Sequence, residues 1–580
     1  MSACKLSTRG LAMLVGVLAQ PVSWPAAAGS SADLVLVNGV VYTADAARSW
    51  ASAVAVRDGR IVYVGTDVGA KAFIAPRTRV IDLGRRMLLP GFQDSHVHPA
   101  HVPDPEREID LDGLKTREAL RARIREYAAA HPQRAWILGN GWDESAFLPS
   151  GRPTRDLLDD VVPDRPAFFV NNSQHQAWAN TAALAAAGIT RATPQPENGE
   201  IVRDAAGDAT GSLQEAAMAL VRRVIPAPTL QERADAIAAA LRQMNRLGIT
   251  ALQDAAASGT DVQAYRLLQR RRGLTARVSL CQRFDPLQPD DAAQIRQFVA
   301  TRAALGRDLR ANCVKVILDG GYGSRTVALL KPYVDDPNNG TGQLYVSPQR
   351  LTELVKHLDA LDFQVHIHAI GDRTVRTALD AIEAARAANG PRDTRHCLAH
   401  LSLIDAADLP RFRDLGVIAN MTPLWSRGDP WQTVFAVRMF GAERAAQSYR
   451  TRSLLDSGAV LVWGTDWPVT GVSPLDGLET AVTHRYPGGR DPAGAEDAAW
   501  NPGERLSLPQ ALVAYTAAGA YLLHDEQQRG TIEPGKLADL VVLSRNLFQV
   551  PALEIHTVQV DMTLLGGQVI YARDADRNAP

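Results

Sequence analysis

Between Leu88 and His524 the chain repeats one alternation eight times: a short apolar stretch, then an Ala-, Leu- and Arg-rich stretch of helical periodicity. The apolar stretches are LLPGFQDSHVH, ITALQDA, RVSLCQRF, CVKVILDG, QVHIHAI, HCLAH, VIANMTP and AVLVWGTDWP. Strands alternating with helices pair in parallel, and eight such units close a barrel. The expected fold is therefore α/β, a (β/α)8 TIM barrel over residues 88–525. Between its first and second strands, residues 107–247 hold AWILGNGW, AFFVNN and the turn-rich PENGEIVRDAAGDATGSLQE. That segment reads as an inserted subdomain, placed where it can cover the barrel mouth.

The two ends have a different texture. From Asp33 to Val80 apolar and polar residues alternate around turn dipeptides: DLVLVNGVVYTAD pivots at Asn38-Gly39 and AVAVRDGRIVYVG at Asp58-Gly59, predicting two hairpins. KLADLVVLS and DMTLLGGQVIYA, pivoting at Gly566-Gly567, repeat the pattern near the C-terminus. Residues 29–87 and 526–580 are expected to build one small β-sandwich domain together.

Residues 1–28 read as a signal peptide, with Lys5 and Arg9 as the positive region, Leu11 to Ala19 as the apolar one and Ala26-Ala27-Ala28 as the cleavage site. The apolar run falls short of the roughly 20 residues a spanning helix needs, and Cys4 precedes it, which excludes a lipoprotein arrangement. A secreted or periplasmic product without a membrane span is expected. Cys281, Cys313 and Cys397 then remain, an odd number without C-x-x-C spacing, so neither a disulfide framework nor a thiolate zinc site is indicated. At most one disulfide can form, and all three read as small buried hydrophobes. With Lys+Arg 62 against Asp+Glu 63, no basic excess points to nucleic acid. The expected partner is a small-molecule substrate, and the insertion offers a place for contact with a second copy of the chain.

Residues able to bind a metal stand at the ends of several strands, where barrel sites form. In His96 and His98 the H-x-H spacing turns two imidazoles to one side of a strand. Lys315 lies in an otherwise apolar strand, where an unpaired ammonium is costly. It is either paired with Asp319 or another carboxylate, or a neutral amine that has taken up carbon dioxide as a carbamate able to bridge two cations. His368, His400 and Asp466 complete the series. Each alone fits a hydrogen-bonded core residue; as a set they point to a divalent metal centre. Trp142, His175, Tyr322, Arg325 and Trp425 lie in the insertion or in loops near strand ends, and are candidate substrate contacts as compatible with packing.

PGFQDSHVH, VKVILDGG, VHIHAIGDR, His400, GTDWP and the tail RGTIEPGKLADLVVLS resemble the amidohydrolase superfamily, in particular its amidohydrolase-3 or YtcJ-like branch, which includes N-substituted formamide deformylases. The resemblance runs from about residue 33 to 570 and includes the insertion, through GNGWDE, SQHQAWAN and a G-x-L-x-E stretch at Gly211 to Glu215. It implies one metal held by His96, His98 and Asp466, a second by His368 and His400, carboxylated Lys315 between them, and Asp466 as the catalytic residue. Two positions depart from the branch. Ala399 precedes His400 where Glu is often found, removing a carboxylate that would orient the ligand. Tyr322 stands in DGGYGSR where a smaller residue is common, which reshapes the pocket.

The implied reaction is hydrolysis of an amide or N-substituted formamide C–N bond by metal-activated water, with Asp466 moving the proton. Zinc is the default for a His-rich site; Mn, Fe or Co also suit it. No G-x-S-x-G elbow supports a serine nucleophile. The H-x-x-E of a mononuclear deaminase is missing too, because Ala369, Ile370, Gly371 and Asp372 follow His368. Ester or lactone hydrolysis by the same metal, and a catalytically silent barrel serving as a binding or regulatory protein, are the alternatives.

Overall fold

The computed structural model describes residues 31–102, 107–306, 309–322, 324–335, 340–491 and 496–573. The expected signal peptide lies outside them. Eight parallel strands form the central sheet: β1 (Phe92–Val97), β2 (Ile249–Ala257), β3 (Arg277–Arg283), β4 (Leu309–Ile317), β5 (Gln364–Ala369), β6 (Cys397–His400), β7 (Ile418–Met421) and β8 (Leu461–Trp463). They neighbour one another in chain order. The seam closes where Asp466 N donates to the His96 carbonyl at 2.7 Å and His98 N to the Trp467 carbonyl at 2.9 Å. β1, β2, β5, β6, β7 and β8 are buried along their whole length, as expected when side chains fill the barrel inside and helices cover it outside.

The helices start at polar caps and turn an apolar stripe to the strands. In Leu230–Arg246, Glu232 N donates to Thr229 Oγ1, while the Glu232 carboxylate takes the Thr229 N–H at 2.7 Å. Ala234, Ile237, Leu241 and Met244 then recur at helical spacing and lie in the main core. This helix belongs to the barrel, although its sequence position had grouped it with the insertion. The inserted subdomain proper carries a six-stranded sheet, from Glu108–Asp110 to Ala209–Glu215, with cores of its own around Trp142 and Trp178 and around Ile201 and Leu213.

The chain ends share a β-sandwich. Leu540–Leu543 pairs antiparallel with Met87–Pro90, which runs parallel to Val40–Tyr42. The other sheet holds Leu34–Val37, Ala53–Arg57, Arg60–Gly65 and Arg79–Asp82. Leu36, Val54, Leu88, Val542 and Leu564 fill the space between. Asp58-Gly59 and Gly566-Gly567 turn antiparallel hairpins as expected. Asn38-Gly39 does not. Leu34–Val37 pairs with Ala53–Arg57 and Arg79–Asp82, whereas Val40–Tyr42 pairs in the opposite sheet. Asp67 Oδ1 accepts from Asn38 N and Asp82 Oδ1 from its side-chain amide, so the bend sends the chain from one layer to the other.

Two of the three cysteines are not the separate buried hydrophobes expected. Cys281 and Cys313 are register partners on β3 and β4 and form a disulfide, while Cys397 is free and buried. Their spacing of 32 residues carried no motif, because the helix between the strands sets it.

Glu144 in the insertion is 1% exposed. Asn171 Nδ2 donates to its Oε1 at 2.6 Å, and among the described residues its Oε2 has no partner. Burial, and then the charge of Asp143, push this carboxyl from 4.5 up to about 8. The folded chain keeps a proton that the unfolded chain releases, so the stabilisation is complete below the unfolded value and is lost as pH rises toward 8. Glu144→Gln removes that loss. Its melting temperature should stand increasingly above that of the wild type between pH 5 and 8, then by a constant margin; a pH-independent margin would contradict the assignment.

Candidate metal centre

β1, β4, β5, β6 and the turn after β8 bring His96, His98, Lys315, His368, His400 and Asp466 together at a cavity of about 1140 Å³ on the carboxyl side of the barrel. Asp466 is the meeting point. Its Oδ1 lies 3.1 Å from His98 Nε2 and 3.4 Å from His96 Nε2, and its Oδ2 3.7 Å from His400 Nδ1. Lys315 Nζ lies 3.5 Å from His96 Nε2. His368 stands further back, its ring centroid 4.4 Å from that of His400. Asp466 (φ 57°) and His400 (φ 78°) both occupy the left-handed region, a strain that non-glycine residues keep where the surroundings impose it. Here the Asp466 N–H bond to His96 O does so, together with Thr465, which donates from Oγ1 to Asp94 at 2.6 Å and from its N–H at 3.0 Å. Gly464 permits the approach, since a Cβ there would meet the His96 Cβ at 2.3 Å.

A buried hydrogen-bond chain fixes the proton on His96. Gln364 Nε2 donates to the carbonyls of Arg395 (2.7 Å) and Leu522 (3.1 Å), so its Oε1 must accept, and it does so from Gln253 Nε2 at 2.8 Å. Gln253 Oε1 then faces His366 Nδ1 at 2.9 Å, making that nitrogen the donor. His366 is neutral, held well below its ordinary value by burial and by the Lys315 charge. Its Nε2 therefore accepts from His96 Nδ1 at 2.8 Å. His96, kept neutral for the same reasons, is left with an Nε2 lone pair toward Asp466 and Lys315.

This donor set fits a cation. Lone pairs of His96 Nε2 and the Asp466 carboxylate face each other, and among the described residues the buried His98 Nδ1 and His400 Nδ1 have no hydrogen-bond partner. His96, His98 and Asp466 offer ligand atoms within 4.8 Å of one another. His400 is neutral as well, through burial and then the neighbouring His368 and Lys315. Neutral imidazole is the ligating form. Burial pushes Lys315 down to about 8 against the pull of Asp466.

Asp319 does not pair with Lys315. It takes His368 Nδ1–H at 3.0 Å, the N–H groups of Ile370 (3.1 Å) and Gly371 (2.9 Å), and Thr374 Oγ1–H at 2.6 Å, orienting His368 with its Nε2 free. Among the described residues no carboxylate is hydrogen-bonded to His400, as Ala399 before it implied; Trp425 stacks on its ring instead, 5.0 Å between centroids.

The candidate substrate contacts divide. Trp425, Tyr322 and His175 line the cavity. His175, from the insertion, has its ring 5.6 Å from that of His368, and its Nδ1 lies 3.0 Å from Glu215 Oε2. Burial opposes charge on His175, but Glu215 outweighs it and raises its pKa. Trp142 is instead a core residue of the insertion: fully buried, edge-on to Phe147, its indole N–H donated to the Phe169 carbonyl at 3.0 Å. Arg325 is not among the cavity-lining residues, and its guanidinium forks onto Asp335 at 3.1 and 2.8 Å.

Sequence reasoning passed over His366, Gln364 and Gln253. The signal was present, since Gln364, His366 and His368 alternate along one strand and so share a face. Gln253→Leu leaves His366 Nδ1 and Gln364 Oε1 without their partner. Zinc affinity, measured by competition with a chelator, should fall about 10- to 100-fold. Unchanged affinity would show that the chain does not orient His96.

Residues 79–571 match the Amidohydrolase family. YtcJ of Bacillus subtilis (strain 168) is 28% identical over 544 residues, covering 92% of this chain and 99% of its own. The N-substituted formamide deformylase of Arthrobacter pascens is 29% identical over 559 residues, covering 93% and 98%. Among solved structures, an uncharacterized metal-dependent hydrolase from Pyrococcus horikoshii OT3 superimposes with a TM-score of 0.70 at 26% identity, covering 90% of this chain and 99% of that one. With the family match spanning the barrel, its insertion and strands of the β-sandwich, the chain belongs to the amidohydrolase family.

Proposed function

We propose that the chain is a metal-dependent amidohydrolase that cleaves the C–N bond of an amide or N-substituted formamide. The observation that carries this reading is the convergence of His96, His98, His400 and Lys315 on Asp466 at the cavity. The similarity to an N-substituted formamide deformylase supports the bond type. One or two divalent ions, zinc by default, held by His96, His98, His368, His400 and Asp466, would polarise a carbonyl and make water nucleophilic near neutral pH.

The protein's own groups supply the rest. Asp466 accepts the proton of the attacking water and returns it to the leaving nitrogen, as its position among the three imidazoles allows. Lys315, with an amine that loses its proton readily, adds carbon dioxide and releases a proton to become a carbamate ligand. Trp425, Tyr322, Ile317 and Ile370 give the cavity an apolar wall that keeps bulk water from the reacting carbonyl. The chain is further proposed to be secreted or periplasmic. The pattern of residues 1–28 supports this, as does the Cys281–Cys313 disulfide, a bond that persists in oxidising compartments.

Elemental analysis of the purified chain beside Lys315→Ala and Asp466→Asn tests the proposal, with turnover of N-substituted formamides and amides measured alongside. Metal should be present at about one to two equivalents and fall in Lys315→Ala. Asp466→Asn should cut kcat by roughly 10³-fold. Less than about half an equivalent that added Zn or Mn does not raise, with no turnover, would overturn the metal mechanism.

A further inference from the structure

Several charged groups of the cavity wall are held by partners within it. Asp143 pairs with Lys115 at 2.8 Å, Glu215 with His175 at 3.0 Å, and Asp429 faces Arg427 at 3.6 Å. Asp285 is occupied by the Leu287 N–H at 3.0 Å and the Gln288 amide at 3.2 Å. Arg222 and Arg283 line the same cavity and reach its solvent, yet among the described residues neither guanidinium has a hydrogen bond or an ion pair. The crowding of its surroundings, and then the charge of Arg283, weigh against the Arg222 cation, with Glu108 in its favour.

Their placement points at the reacting end of the cavity. Arg283 ends β3 as the register partner of Lys315, whose carbonyl accepts the following Phe284 N–H at 2.9 Å. Arg222 ends the insertion helix Met218–Arg222, so barrel and insertion contribute one cation each. His101 lines the same cavity, and its ring stacks on the His98 ring with centroids 5.3 Å apart. The two like charges repel, and a planar carboxylate relieves that repulsion while accepting from both. A neutral formamide leaves both arginines as they are.

We infer that Arg222 and Arg283 form a carboxylate subsite, and that the substrate is an amide bearing a carboxylate close to its scissile C–N bond, as an N-formyl or N-acyl amino acid does. The bond cleaved rests on the function proposed above; the anion subsite rests on the two arginines alone.

The zinc-loaded full chain is assayed with N-formylphenylalanine and its neutral carboxamide. Binding of 3-phenylpropionate and of neutral 3-phenylpropanol is measured by calorimetry, in wild type, Arg222→Gln and Arg283→Gln, with zinc content reporting that each variant is folded. The wild type should favour the acid about 100-fold in kcat/KM, and each variant should lower that ratio about 10- to 30-fold, mainly through KM. Binding of 3-phenylpropionate should weaken in parallel. If neither formyl compound is cleaved but 3-phenylpropionate binds and requires both arginines, the subsite stands and the reaction proposed above falls. Equal cleavage of acid and carboxamide by the wild type, or 3-phenylpropionate binding that is absent or indifferent to both substitutions, overturns the subsite.

Discussion

The seam between β8 and β1 is the constraint on which the rest depends. A parallel barrel exists only if its last strand finds its first, and here that closure runs through Asp466, whose N–H donates to the carbonyl of His96. The same residue turns its carboxylate toward His96, His98 and His400. Closing the barrel and assembling the metal centre are therefore one event. A left-handed backbone at a non-glycine residue costs on the order of 1–3 kcal/mol. Hydrogen bonds from Thr465 to the buried Asp94, and the close approach that Gly464 permits, hold the turn in place against that cost.

Beneath the metal centre the barrel interior is polar where apolar layers would be expected. Gln364, Gln253, His366 and His96 stack as a column, each satisfying the next, and the column ends on two main-chain carbonyls. Such a column is stable only when complete, because one missing partner strands a buried donor or acceptor at roughly 1–3 kcal/mol. Completeness also gives it direction. Carbonyls cannot donate, so the orientation of every amide and the tautomer of every imidazole above them follow, up to the lone pair on His96.

All eight barrel strands were legible in the sequence, because a strand buried on both faces is a run of apolar residues bounded by helix and turn signals. The convergence of His96, His98, Lys315, His368, His400 and Asp466 was legible too, since barrel topology puts strand ends side by side whatever their separation along the chain. What escaped detection was pairing set in three dimensions. Asn38-Gly39 has hairpin chemistry, but its flanking strands join different sheets, and the side-chain bond from Asn38 to Asp82 that accompanies this spans 44 residues. Cys281 and Cys313 meet only because β3 and β4 are in register. Trp142 and Arg325 looked available from their positions, yet the Phe169 carbonyl and the Asp335 carboxylate already satisfy them. Arg222 and Arg283 were ordinary arginines in sequence; only the fold shows that they line one cavity and that, among the described residues, neither has a hydrogen bond or an ion pair.

The insertion explains how one barrel floor can be turned to a particular substrate. His175 and Glu215 come from it, and Glu215 also accepts from Ser324 Oγ at 3.0 Å and Thr326 Oγ1 at 3.2 Å, in the loop after β4. This contact pins the insertion to the strand that carries Lys315, so its residues stand at a fixed distance from the metal centre. The hydrophobic cores of the insertion are separate from the barrel core, which lets its wall residues vary without disturbing the seam. The candidate metal centre is thereby built on barrel strands and their closing seam, while the insertion adds wall residues such as His175 and Arg222 from a unit with cores of its own.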